Sequence, residues 1–165
     1  MKKIIATLAL LATTTAPAMS AGWINDTSAD DMTGKPLHIA FISADEKPSD
    51  FINHAVNGIG IRCQDNKLVV IGLTDGYVGN DSAKLDYVIN NDGKVRTIRT
   101  GVSTDGTKYF LSGKAAINFA KTLATAQSFK INAYDFNGTA QFSSFNNNLS
   151  LDAPRSVLAK CGVKL

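Results

Sequence analysis

Arg96 and Arg99, just after Lys94, are the side chains in this 165-residue sequence best suited to gripping a ligand. On one exposed side of a hairpin, their guanidinium groups would present paired N–H donors to a carboxylate or phosphate, as on peptidoglycan stems or lipid headgroups. Asp86 and Asp92 lie close enough in sequence to neutralise both arginines across the hairpin, which would leave them as solvated charges. Arg62, beside Cys63, reads as either a surface charge or a partnered structural arginine. A second candidate surface is aromatic. Tyr134, Phe136, Phe142 and Phe145 cluster around Asn137-Gly138, and strand alternation puts Phe129, Ile131 and Ala133 on one face, with Lys130, Asn132 and Tyr134 on the other. Tyr134 beside Phe136 would then form a partner-binding patch. The competing demand is the core, which needs most of the eight phenylalanines.

Catalytic constellations are weak. Gly101-Val102-Ser103-Thr104-Asp105-Gly106 comes near a nucleophile elbow, but that motif needs Gly two residues after Ser, so the segment reads as a turn. Ser82-x-Lys84 and Ser112-x-Lys114 have the spacing of a Ser/Lys dyad, yet nothing nearby would desolvate either lysine into a base. His38 and His54 are sixteen positions apart and lack further ligands, so no metal site is expected. Around Asn90-Asn91-Asp92-Gly93, Val88 and Arg99 occupy the positions where a calcium loop needs carboxylates. The sequence is therefore read as non-enzymatic, with no cofactor and no metal.

The compartment is read from the amino terminus. Met1-Lys2-Lys3, an apolar run from Ile4 to Ala12 and small residues up to Ala21 match a secretory signal peptide over residues 1–21. The run is about nine residues long, against the ~20 needed to span a bilayer as a helix, so no stable membrane insertion is expected. Cleavage after Ala18 or after Ser20 fits equally well. Residues 22–165 would then form a single periplasmic domain, a usual size for one core. The whole sequence has 17 Lys and Arg against 14 Asp and Glu; loss of Lys2 and Lys3 leaves a net charge near +1, which argues against a nucleic-acid partner. Cys63 and Cys161 are the only cysteines. In an oxidising compartment they read as one structural disulfide, closing a loop of about 100 residues worth about 4 to 5 kcal/mol of chain entropy.

The elements that must position these residues are mostly strands. Leu37, Ile39 and Phe41 alternate with His38 and Ala40, implying a strand with the first set buried and His38 facing solvent. Ile59-x-Ile61-x-Cys63 and Leu68-Val69-Val70-Ile71 flank a turn at Gln64-Asp65-Asn66-Lys67. Hairpins are also expected from Leu85–Ile89 to Val95–Arg99 about Asn91-Asp92-Gly93, and from Phe129–Asp135 to Thr139–Phe145 about Asn137-Gly138. Ser112–Ala126 reads as an amphipathic helix capped by Ser112, and Asp152–Cys161 as a second one, stopped by Gly162. The expected fold is mainly β (α+β): an antiparallel β-sandwich or open barrel with two short helices and one disulfide.

This order of features resembles the VasI/TagO family associated with type VI secretion. The resemblance is carried by Trp23, Asp30-Asp31-Met32-Thr33-Gly34-Lys35, Ile61-Arg62-Cys63-Gln64-Asp65-Asn66-Lys67, Tyr77-Val78-Gly79 and Ser103-Thr104-Asp105. It continues through the Ala115–Leu123 helix, the Phe142–Phe145 strand and Ala159-Lys160-Cys161. The family pattern departs at Thr100-Gly101-Val102 and at Val163-Lys164-Leu165, where aromatics are usual, so the fold is implied more strongly than a shared function. The resemblance implies a periplasmic accessory protein that binds an envelope protein or a peptidoglycan-associated partner. The alternative is a phage- or prophage-encoded envelope protein acting in superinfection exclusion or as inhibitor of a cell-wall hydrolase.

Overall fold

The computed structural model describes residues 22–45, 55–79, 81–134, 138–147 and 150–165. The leader, His54, Asp135, Phe136 and Asn137 lie outside the described residues. The described residues form nine strands and two helices: β1 Ile24–Ala29, β2 Pro36–Ser43, β3 Gly58–Gln64, β4 Lys67–Leu73, β5 Ser82–Ile89, β6 Arg96–Val102, β7 Lys108–Ser112, α1 Gly113–Leu123, β8 Ser128–Tyr134, β9 Ala140–Asn146 and α2 Asp152–Lys160. All strand pairs are antiparallel, in one sheet of order β1-β2-β3-β4-β7-β6-β5-β8-β9.

The sheet is open but curls back on itself. The Asp45 amide, just past β2, donates to the Ser144 carbonyl of β9 at 2.8 Å, and the Ala55 amide donates to Gln141 Oε1 of β9 at 3.2 Å. The open-barrel expectation is thus met by a single sheet rather than by two packed sheets. Its inner face holds the core: Ile59, Ile61, Val70, Leu111, Phe129 and Phe145 are all buried there. Phe129 and Phe145 are cross-strand partners with stacked rings 4.6 Å apart. The helix α1 presses Ala116, Phe119, Ala120 and Leu123 onto this face, with Phe119 edge-on to Tyr87 at 5.0 Å.

Turn chemistry sets the registers. Asp65 and Asn66 both take positive φ, the two-residue reversal that matches strand twist, and Gln64 pairs with Lys67. The disulfide forms between Cys63 on β3 and Cys161 at the end of α2, with Cα atoms 5.6 Å apart. Gly162, at φ 69°, ends α2, and the Val163 amide bonds back to the Leu158 carbonyl.

Three expectations change. The buried residues of β2 are Ala40 and Ile42, opposite Ile61 and Ile59, so Leu37, Ile39 and Phe41 lie half-buried on the outer face. Phe41 sits there because Gly58, beneath it, has no side chain: a Cβ would fall 2.4 Å from its ring. His38 shares the face of Ala40 and Cys63 and meets Thr27 Oγ1 at 3.3 Å, so it does not simply project into water. Ser112 occupies the amino-cap position of α1, but its side chain makes no capping hydrogen bond.

Candidate functional site

The outer face of β6, β5, β8 and β9 gathers most of the sequence-derived candidates. Registers place its side chains in rows. Arg99, Lys84, Tyr134 and Ala140 stand side by side; the next row is Thr97, Asp86, Asn132 and Phe142; then come Val88, Lys130 and Ser144. Val95, just before β6, continues the outward alternation beside Val88.

Asp86 organises the centre of this face. It is 8% exposed, so its charge needs partners. Thr97 Oγ1 donates to Oδ1 at 2.5 Å, the Tyr134 hydroxyl donates to Oδ2 at 2.7 Å, and Lys84 Nζ lies 3.0 Å from Oδ2. Burial pushes the Asp86 carboxyl up, but the bonds from Thr97, Tyr134 and Lys84 outweigh it and hold the group below the usual carboxylate range. The same contact with Asp86 raises Tyr134 above an ordinary phenol. Lys84 Nζ also lies 4.8 Å from the Tyr134 ring centroid, a cation–π arrangement.

A hollow of about 320 Å³ opens beside this cluster, lined by Asp86, Val88, Val95, Lys130, Asn132 and Phe142. Val95 is 68% and Phe142 52% exposed, more than a core role explains. A second hollow of about 330 Å³ shares Lys130 and runs on past Ser128, Ser144, Asn146 and Asn91 to Asp45. Together they make a channel over β8 and β9 whose walls are amide, hydroxyl and apolar, with Lys130 at its middle, the carboxylate of Asp86 in one hollow and that of Asp45 at the far end of the other.

The two arginines separate. Three residues apart on a strand, Arg96 and Arg99 point to opposite faces, so they do not form one anion clamp. Arg96 falls on the inner-face side opposite Tyr87 and is held by Asp92 through Nη2–Oδ2 at 2.7 Å and Nη1–Oδ1 at 3.2 Å. That pair is the neutralisation the sequence suggested. Asp86 pairs with Lys84 instead, and exposed Arg99 has no ion pair among the described residues. Tyr134 does face outward as the alternation implied, though half-buried and tied to Asp86; Phe136, its expected neighbour, lies outside the described residues. Phe145 is buried inside while Phe142 is outside, so the hairpin aromatics divide between core and surface. Arg62 is half-buried on the outer face and donates from Nη2 to Gln64 Oε1.

The Ser103–Asp105 segment is a turn. Ser103 Oγ donates to Asp105 Oδ1 and accepts from the Thr107 and Lys108 amides at 3.2 and 3.0 Å. Hydrogen bonds from Ser103 and Thr107, with Lys108 beside them, hold the Asp105 carboxyl far below its usual range. Among the described residues, no group of three or more His, Cys, Asp or Glu could hold a metal ion.

Sequence reasoning placed Lys130 on the face of Tyr134 but missed Lys84, Asp86 and Thr97 beside them. The Lys84–Arg99 juxtaposition was within reach, since the Asn91-Asp92-Gly93 turn fixes the β5–β6 register. The neighbours on β8 were not, because β5 and β8 are some forty residues apart in sequence and their pairing has no local signal.

What the fold and site define is an open, curled antiparallel sheet with a disulfide-fastened helix and a mixed polar and apolar channel on its outer face. No protein-family model matches the chain, and no curated protein or solved structure does either.

Proposed function

We propose that this protein is exported, loses residues 1–21 and works in the periplasm as a non-catalytic binding or accessory protein, in the setting of the VasI/TagO proteins it resembles. Support for export comes from the signal-like leader, from the Cys63–Cys161 bridge and from the absence, among the described residues, of a helix long and apolar enough to cross a membrane. The observation that carries the binding role is the outer channel of β6-β5-β8-β9. Phe142 and Val95 are exposed there around a buried, fully partnered Asp86, and Arg99 is exposed on β6 in the row beside the channel. Charge and apolar surface placed together without a structural duty form the usual anatomy of a recognition surface. The occupant is an envelope protein or a peptidoglycan-associated partner.

The test is crosslinking in cells that export the protein with its disulfide intact, followed by identification of what copurifies. Recovery of secretion-complex or peptidoglycan-remodelling proteins is the expected result. Recovery of only a phage-related protein or a lysozyme would replace the accessory role with superinfection exclusion or hydrolase inhibition.

A further inference from the structure

Lys84 and Arg99 are direct cross-strand partners on the outer face. Like charges placed opposite one another weaken a sheet, and Asp86 compensates only the lysine. Lys130, in the wall shared by both hollows, is likewise exposed and has no ion pair among the described residues. The face thus carries two uncompensated cations, Arg99 and Lys130. Strand spacing puts their Cα atoms roughly 15 to 20 Å apart, two strands across and four residues along.

We propose that this channel binds an extended N-acetylated glycan bearing carboxylates, with sugar rings lying on Phe142 and Val95 and the acid groups reaching Lys130 and Arg99. The inference rests on the envelope-binding reading above and names the ligand class. Three features select a glycan. The lining amides and hydroxyls, Asn132, Asn91, Asn146, Ser128 and Ser144, both donate and accept, as sugar hydroxyls and acetamido groups require. The exposed phenyl and valine supply flat apolar contact for ring C–H groups beside those polar atoms. Two separated cations suit a chain acidic at intervals, whereas a nucleic acid presents a charge at every residue and calls for a dense basic stripe. An added peptide strand would use a sheet edge, not this face.

Calorimetric titration of the purified, disulfide-bonded protein tests this with two probes of equal length: a tetrasaccharide alternating N-acetylglucosamine and N-acetylmuramic acid, and neutral chitotetraose. The acidic glycan is expected to bind at least about tenfold more tightly. Arg99→Gln should weaken the acidic glycan about tenfold and leave chitotetraose unchanged, while Phe142→Ala should weaken both. Both residues are exposed, and an unchanged urea midpoint for each variant shows that it still folds. Absence of binding by either glycan, or equal binding of both that neither substitution alters, overturns the assignment. If crosslinking still recovers an envelope protein in that event, the glycan site alone falls and the binding role stands.

Discussion

The sheet has two ends joined by a narrow seam, and they treat their outer faces differently. Between β6 and β7 only Gly101–Phe110 and Val102–Tyr109 are paired. On the β2-β3-β4-β7 side, both helices cover the inner face and the disulfide fastens one of them. The outer face there is mostly apolar, with Phe41 lying over Gly58, Phe110 over Gly101 but still 39% exposed, and Arg62 held by Gln64. On the β6-β5-β8-β9 side, the outer face carries an arginine with no ion pair among the described residues opposite a lysine, an exposed phenylalanine and a buried aspartate. The first arrangement is what packing alone favours. The second sets like charges opposite one another at a cost in stability, the ground on which we propose it as the working surface.

The sharpest way to separate the two ends is to open the first. Replacing Cys63 and Cys161 together by serine should cost about 4 kcal/mol, read as a lower urea midpoint. Binding per folded molecule should persist, since neither cysteine touches the channel. Asp86→Asn acts on the other end. It removes the charge that Lys84 and Tyr134 face, and should cost about 1 to 2 kcal/mol by the same unfolding measurement while loosening the channel wall.

Acid should act at the seam. The Asp105 carboxyl is held below its unfolded value, so its contribution is present above about pH 4 and is lost as pH falls through the folded value. The stability gap between the protein and Asp105→Asn should therefore be constant near neutrality and close below about pH 4, measured by urea unfolding across pH. The smallest effect sharpens the comparison most. Arg99→Gln should change stability by less than about 0.5 kcal/mol, with a rise if anything, because it relieves the opposition to Lys84. A marked fall in its urea midpoint would mean that Arg99 is structural.

Much of this organisation was legible in local sequence. The Asp65-Asn66 turn, the β5–β6 and β8–β9 hairpins, both helices and the cysteine pairing follow from turn residues, periodicity and an even cysteine count. The strand β1 was not legible: all six residues are exposed, so no alternation betrays it. The strand β7 was missed as well, a five-residue element lying between a turn and a helix. The buried face of β2 was misread because both of its alternating sets are apolar enough to qualify, and α2 and β3 decide between them. At the site, parity oriented Tyr134 correctly and would have split Arg96 from Arg99. The Asp86–Tyr134 bond depends on the β5–β8 pairing, which only the folded chain supplies.

The central claim is that binding uses the outer face of β6-β5-β8-β9 and not that of β2-β3-β4-β7. A photoreactive amino acid placed at position 142 in one variant and at position 71 in another, irradiated in producing cells, addresses it directly. Crosslinks to an envelope component from position 142 and none from position 71 are the expected result; crosslinks from position 71 alone would contradict the account.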